Sequence, residues 1–451
     1  MLKRKIQAEI ESFYNAPHKK ALLIIGARQV GKTYIIRDFG EQHFKSFIEI
    51  NFFENKKAVE LFQSATNSAD LLLRISAIAD QPLIPGETLI FLDEVQECKE
   101  IVTAIKFLVD EGSYRYILSG SLLGVELKDI RSTPVGYMDV KEMFPMDFEE
   151  FAIANGVSER VLSALEQSFD SRVPVDSFVH EKMMDLFRLY LIVGGMPAAV
   201  SQYLQTNNLR TVVDEQKSII RMYKKDIARY DPENKLYIED IFDLIPSELN
   251  AKNKRFILKD LHDDFKLSRY SNSFLWLADA GVALPTYNVA EPTVPLLLNK
   301  SASLFKLFLS DVGLLASMYM DDIQIKILSK EKDINFGSVY ENVAAQELRA
   351  HGFDLYYFNS KKQGELDFIV EYNGDVLPIE IKSGKDYTKH AALNNIMSNT
   401  QYAIPTAFVF HNGNISSNEN IVYYPMYMLM FIKKSNIEQD MIYKLDLGIL
   451  Q

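Results

Sequence analysis

Over the first 150 residues, short apolar runs alternate with stretches of helical periodicity. Ala21-Leu22-Leu23-Ile24-Ile25 is an unbroken apolar run between Lys20 and Gly26, the pattern of a strand buried on both faces. A helical stretch, Tyr34–Phe39, follows. Phe47–Phe52 predicts a second strand, Thr88–Val95 a third and Tyr114–Leu118 a fourth. Apolar residues at helical spacing fill Leu61–Ala79 and Ile101–Val109, and residues 6–16 predict an amphipathic helix ahead of the first strand. Strands alternating with helices specify an α/β fold with a parallel sheet.

The pattern then changes. Phe144–Phe151 marks a junction, and residues 152–230 are mostly helical, broken by the glycines and proline of Tyr190–Pro197. Residues 238–290 predict a winged helix: helices over Ile238–Leu244 and Arg255–Leu261, a third from Ser268 to Ala280 stopped by Gly281, and a wing strand over Val282–Val289. Lys252, Lys254, Arg255, Lys266 and Arg269 make this stretch locally basic, which suits either a helix in a DNA groove or an internal packing module. The expected division is 1–150, 151–236, 237–300 and 301–451.

In the last part a helix over about Tyr340–Ala350 precedes two strand-like runs joined by Asn373-Gly374, a strong hairpin signal. If Tyr372 faces Asp375, Asp367 faces Glu380 and Glu365 faces Lys382. Two carboxylates across a hairpin repel unless a divalent cation lies between them. The same register allows an ordinary Lys382–Glu365 surface pair. The aromatics Tyr423, Tyr424, Tyr427 and Phe431 read as core rather than as a base-stacking platform.

Composition narrows the class. The 451 residues carry a net charge of −12, so contact with nucleic acid must come from a local patch. One cysteine, Cys98, allows no internal disulfide and suits a reducing compartment. The basic start is followed by Gln7-Ala8-Glu9 and not by an apolar core, unlike a signal peptide. No apolar run approaches the roughly 20 residues of a membrane helix. The expectation is a cytoplasmic protein without a membrane partner. The seven histidines form no zinc-type pair.

Between the first strand and its helix lies Gly26-Ala27-Arg28-Gln29-Val30-Gly31-Lys32-Thr33. A glycine loop between strand and helix turns backbone N–H groups around phosphate oxygens and adds the positive end of the helix. Lys32 is expected to reach the β/γ-phosphates and Thr33 to bind Mg²⁺. Asp93 and Glu94 end the third strand. The first is expected to hold Mg²⁺ and the second to polarise the attacking water. Ser119 and Ser121, at the end of the fourth strand, are candidate γ-phosphate sensors or plain turn residues.

These motifs, with Phe148-Glu149-Glu150-Phe151, Tyr190–Pro197, Ile245-Pro246-Ser247, Trp276-Leu277 and Phe308–Leu315, resemble a bacterial and archaeal group of AAA-type ATPases whose C-terminal half is a domain of unknown function. Glu341, Asp367 and Glu380-Ile381-Lys382 are similar to the PD-(D/E)XK nuclease pattern. Many members of the group carry Gly-Arg where this chain has Gly136-Tyr137; Arg131 lies a few residues earlier. The resemblance implies an ATPase module, a helical segment, a winged helix and a nuclease-like α/β domain. ATP and Mg²⁺ are the expected cofactors, with a second Mg²⁺ or Mn²⁺ held by Glu341, Asp367 and Glu380 beside a catalytic Lys382. DNA is the expected macromolecular partner, and a homo-oligomer is the expected assembly. The alternative is a nucleotide-dependent switch whose C-terminal domain only binds.

Overall fold

The computed structural model describes residues 2–17, 20–63, 67–121, 136–230, 235–251, 267–319, 323–328, 337–384 and 386–434. The first sheet has five parallel strands: β1 (Ala21–Ile25), β2 (Ser46–Asn51), β3 (Thr88–Asp93), β4 (Arg115–Gly120) and β5 (Met138–Glu142). Their spatial order is β2-β3-β4-β1-β5, with every neighbour parallel. β4 therefore lies between the strand that feeds Gly26 and the strand that ends in Asp93. Alternate side chains of β1 enter opposite cores: Leu22 and Ile24 one, Ala21 and Leu23 the other. β5 was not legible in the sequence. Its burial alternates weakly, because it is an edge strand with Asp139 and Val140 exposed.

From Met146 onward one hydrophobic core runs to Ile432, and a second gathers Val289, Leu296, Leu366, Leu393, Val409 and Tyr423. The first joins the helices Ser177–Val193, Leu209–Tyr230 and Lys235–Asn250 to the C-terminal strands. These strands form one eight-stranded sheet: β6 (Ala283–Val289), β7 (Lys300–Leu309), β8 (Tyr356–Ser360), β9 (Gly364–Tyr372), β10 (Asp375–Ile381), β11 (Ala407–His411), β12 (Ser416–Asn418) and β13 (Ile421–Pro425). The order is β12-β13-β11-β10-β9-β8-β6-β7.

Strand pairing runs across position 300, one of the expected divisions. The wing strand β6 pairs with β7 on one side and with β8 on the other, through Tyr287↔Tyr356. A boundary at 300 would cut that hairpin, and no separate core encloses the described part of 237–300. Where a third helix is expected from Ser268 to Ala280, the helix Leu267–Asp279 lies, with Gly281 at φ +71° after it. Lys252, Lys254, Arg255, Lys266 and the expected second helix lie outside the described residues, as does Arg131. Tyr424, Tyr427 and Phe431 belong to the core; Tyr424 Oη donates to the Phe169 carbonyl at 3.0 Å.

The two parts meet at Met146–Glu150. Asp147 caps the helix Phe148–Ala154 in a capping box with Glu150. Arg4 reaches in from the N-terminal segment. Its Nε pairs with Glu150 at 3.1 Å, Nη2 donates to the Phe144 carbonyl at 2.6 Å and Nη1 to Val30 in the glycine loop at 2.8 Å. The Tyr190–Pro197 stretch is shaped by close approach. A Cβ on Gly195 would lie 1.9 Å from the Met146 carbonyl oxygen, and one on Gly194 would lie 2.3 Å from Asp311 Oδ1.

Candidate functional site

Two of the loop glycines are required for different reasons. Gly26 has φ +147° and a Cβ there would lie 2.2 Å from the Met143 carbonyl oxygen. Gly31 has space around it but sits at φ +97°, where it caps the helix Lys32–His43. Lys32 is buried, its Nζ donating to the carbonyls of Gly26 at 2.9 Å and Ala27 at 2.8 Å. Burial lowers its pKa to about 8, against the pull of Glu94 and Asp93. The amine is thus held in the loop by neutral carbonyls, and an arriving phosphate would restore its full charge.

The structure brings Asp93 and Thr33 together. Thr33 Oγ1 donates to Asp93 Oδ2 at 3.0 Å, and Asn51 Nδ2 donates to the same oxygen at 3.0 Å. Ser119 donates to Asp93 Oδ1. Burial raises the Asp93 pKa, opposed by the Ser119 hydrogen bond. Glu94 is in the left-handed region at φ 54°, ψ 48°, unusual for a residue with a Cβ. Its Oε2 accepts from Ser121 Oγ at 2.9 Å and from Gln96 Nε2. Ser119 and Ser121 are therefore more than turn residues: each holds one of the two acids.

These groups open on a cavity of about 1150 Å³. Arg4, Arg28, Lys32, Thr33, Asp93 and Glu94 line it together with apolar residues such as Leu2, Ile153 and Pro197. A cavity with both charged and apolar lining suits a molecule that joins a polyphosphate to a less polar group. Arg4, Asn51 and Gln96 carry no motif of their own, so the sequence reading missed them. The only signals were an asparagine ending β2 and a glutamine two positions after Glu94.

The C-terminal carboxylates sit differently. The β9–β10 ladder follows the expected register from Tyr372↔Asp375 to Phe368↔Ile379. On its other edge β9 slips by one residue against β8, between Tyr356↔Ile369 and Phe358↔Leu366. Asp367 and Phe368 together oppose Tyr357, a β-bulge. Asp367 Oδ2 accepts the Ile381 N–H at 2.9 Å. Glu380 is buried; its Oε1 takes Lys382 Nζ at 2.6 Å, and its Oε2 is buried without a hydrogen-bond partner. Burial and then Asp367 push the Glu380 carboxyl up to about 8, against Lys382; Glu341 adds to the push.

The surface pair Lys382–Glu365 does not form. Glu365 pairs with the fully buried Lys306 at 2.8 Å and accepts from Asn359. Asp367 and Glu341, the other two expected ligands, both lie near enough to the buried Glu380 to raise its pKa. Among the described residues, no three His, Cys, Asp or Glu side chains are gathered closely enough to hold a metal. Among the described residues no helix is long and apolar enough to cross a membrane.

Comparison with known proteins divides the chain in three. Residues 18–152 match the model of an AAA domain, and residues 184–326 and 336–429 match two separate domains of unknown function. An uncharacterized protein of Methanocaldococcus jannaschii is 23% identical over 361 residues, 78% of this chain and 72% of that protein. Two solved structures are similar at a distance. The Walker-type ATPase of Pyrococcus abyssi has a TM-score of 0.42 and 14% identity, covering 71% of this chain and 96% of that one. Cdc6p of Pyrobaculum aerophilum has a TM-score of 0.25 and 11% identity, covering 73% of this chain and 96% of that one. The N-terminal part thus has a parallel α/β sheet consistent with a P-loop NTPase domain and matches an AAA-domain model, and helical and α/β regions follow it.

Proposed function

We propose that the chain is an ATP hydrolase whose nucleotide site lies between the glycine loop and the helices Phe148–Ala154 and Pro197–Thr206. The observation that carries this reading is the Thr33–Asp93 pair at 3.0 Å beside a lysine held by two loop carbonyls. A hydroxyl and a carboxylate are hard oxygen donors and fit Mg²⁺, which would neutralise charge on the β- and γ-phosphates. Lys32 and the loop N–H groups bind the phosphates. Glu94, once released from Ser121, accepts a proton from the water that attacks the γ-phosphorus. Ser119 fixes Asp93. Nucleotide binding to the full chain, with Mg²⁺ present and absent, tests the reading. No binding in either case would sink it.

The C-terminal sheet is proposed to act on nucleic acid. Asp367, Glu380 and Lys382 lie on adjoining strands, and the buried Glu380 Oε2 is an oxygen that a Mg²⁺ or Mn²⁺ ion would satisfy. On this reading Glu341 approaches the ion from the helix Gly337–Ala350 and Lys382 positions the attacking water. The lack of a compact set of three ligands favours a second reading, a nucleotide-dependent switch whose C-terminal sheet only binds. Incubating the chain with DNA and Mn²⁺ separates them. Cleavage that vanishes in Asp367→Asn supports the first; binding without cleavage supports the second.

A further inference from the structure

We propose that Arg28 is a positioning residue, a tether that the terminal phosphate of a nucleoside triphosphate releases. It ties the helix Leu209–Tyr230 to the glycine loop through Asp226 and holds Glu94 in place through Ser121. The inference rests on the ATPase reading.

Arg28 lies inside the loop, and its side chain lines the same cavity as Lys32 and Thr33. Nη1 pairs with Asp226 Oδ1 at 2.6 Å, and Nε donates to Ser121 Oγ at 3.3 Å. One helical turn from Asp226, Tyr223 Oη donates to the Arg28 carbonyl at 3.1 Å. Ser121 has one hydroxyl proton, and it gives this to Glu94 Oε2 at 2.9 Å. The hydrogen bonds therefore run one way. The guanidinium donates to Asp226 and to Ser121, and Ser121 donates to the glutamate expected to activate water. Two hydrogen bonds separate Arg28 from Glu94, and on the ATPase reading of Glu94 this puts the guanidinium beside the γ-phosphate.

The helix has a second tie one turn on. Arg229 pairs with Glu97 at 3.1 Å, and both Arg28 and Arg229 lie over the Phe53 ring, at 5.7 and 4.7 Å. Toward its other end, the buried Gln216 donates to the carbonyls of Ile192 and Val193 at 2.8 and 2.9 Å. Those carbonyls adjoin Gly194, which packs against Asp311, the cap of the helix Val312–Met318 in the C-terminal part. A shift of this helix would reach the C-terminal core through that contact.

A phosphate carries more charge than a carboxylate and takes guanidinium in the same planar geometry. A γ-phosphate beside Glu94 therefore competes with Asp226 for Arg28. When Arg28 turns to it, Ser121 loses one of its two donors and keeps the other, Gln96 Nε2 at 3.4 Å, so the hold on Glu94 is loosened. The helix also loses its tie to the loop. A nucleoside diphosphate, ending short of Arg28, leaves the tether intact.

The test uses the full chain with Mg²⁺ and either ATP or ADP, read by titration calorimetry and by amide hydrogen exchange across residues 209–230. In wild type, ATP but not ADP should speed exchange near 221–230. Asp226→Asn should tighten ATP by about tenfold while moving ADP less than about twofold, and should speed exchange without nucleotide. Arg28→Ala should abolish the response of exchange to ATP. Should that variant unfold in a thermal melt, Arg28→Lys, which keeps the charge but cannot bond both partners, should still weaken the response. Equal shifts for ATP and ADP in Asp226→Asn, or wild-type exchange indifferent to ATP, would overturn the tether and leave the ATPase reading standing. Wild type that binds neither nucleotide overturns both.

Discussion

The two candidate sites use acids in opposite ways. At the glycine loop, Asp93 is buried but receives donors from Thr33, Asn51 and Ser119, and an open cavity adjoins it. In the C-terminal sheet, Glu380 is buried with one oxygen paired to Lys382 and the other without a partner. A carboxyl raised to about 8 is mostly protonated at neutral pH. The first site is preorganised for its ligand by hydrogen bonds made in advance. The second must lose a proton before it can bind a cation. Preorganisation of this kind lowers the cost of binding, so the two sites should differ in affinity and in pH dependence.

The sharpest way to break the comparison is at the loop. Lys32→Ala should weaken Mg-ATP binding at least about 100-fold, because the phosphate charge loses its buried partner. Calorimetry would show this, and a change below about threefold would mean that the loop is not the binding element. Glu94→Gln should leave binding intact and lower turnover by about 10²–10⁴-fold, as expected when only proton acceptance is lost. Hydrolysis at the wild-type rate would remove Glu94 from that role.

A smaller effect is expected at the C-terminal acids. With excess Mn²⁺, wild type should gain a few degrees in thermal midpoint, while Asp367→Asn and Glu380→Gln should gain less than about one. The sign of the pH effect follows from the raised carboxyl. The folded state keeps the Glu380 proton that the unfolded chain loses above about pH 4.5. Stability from this group is therefore full below that pH and is lost as pH rises toward 8. Without metal, Glu380→Gln should match wild type near pH 5 and exceed it at pH 8, and Mn²⁺ should reverse the order. Equal Mn²⁺ gains in all three proteins would leave the C-terminal part without a metal site.

The smallest effect belongs to the joint between the regions. Burial of Asp147 would raise its pKa, but Lys5 and His351 outweigh that and hold the carboxyl well below the usual range. Lys5 Nζ lies 2.5 Å and His351 Nε2 3.4 Å away. A depressed carboxyl contributes stability that is present above the unfolded pKa near 4 and is lost as pH falls through the folded value. Asp147→Asn keeps a good helix cap and removes only the charge. It should cost about 1–2 kcal/mol at pH 7 and flatten the acid limb of a denaturation curve. An unchanged acid limb would mean that the pairs across the joint contribute nothing.

Much of the candidate nucleotide site could be read from the chain because it is local. Gly26–Thr33 is one strand–turn–helix unit, and the apolar runs of β1 and β3 place it and Asp93 at strand ends regardless of the rest. The Asn373-Gly374 turn likewise set the β9–β10 register, since a two-residue hairpin loop leaves no freedom in the pairing. What the sequence could not decide depends on residues far apart in the chain. β6 reads as a wing strand by itself, and only its pairing with β8 makes it part of the large sheet. The bulge at Asp367–Phe368 arises against β8, outside the hairpin that sets the register. Arg4, Asp226 and Gln96 reach the nucleotide site only because the N-terminal segment, the Leu209–Tyr230 helix and the turn after Glu94 are packed around it. Periodicity reports which face of an element is buried, but long-range pairing decides which buried polar groups meet.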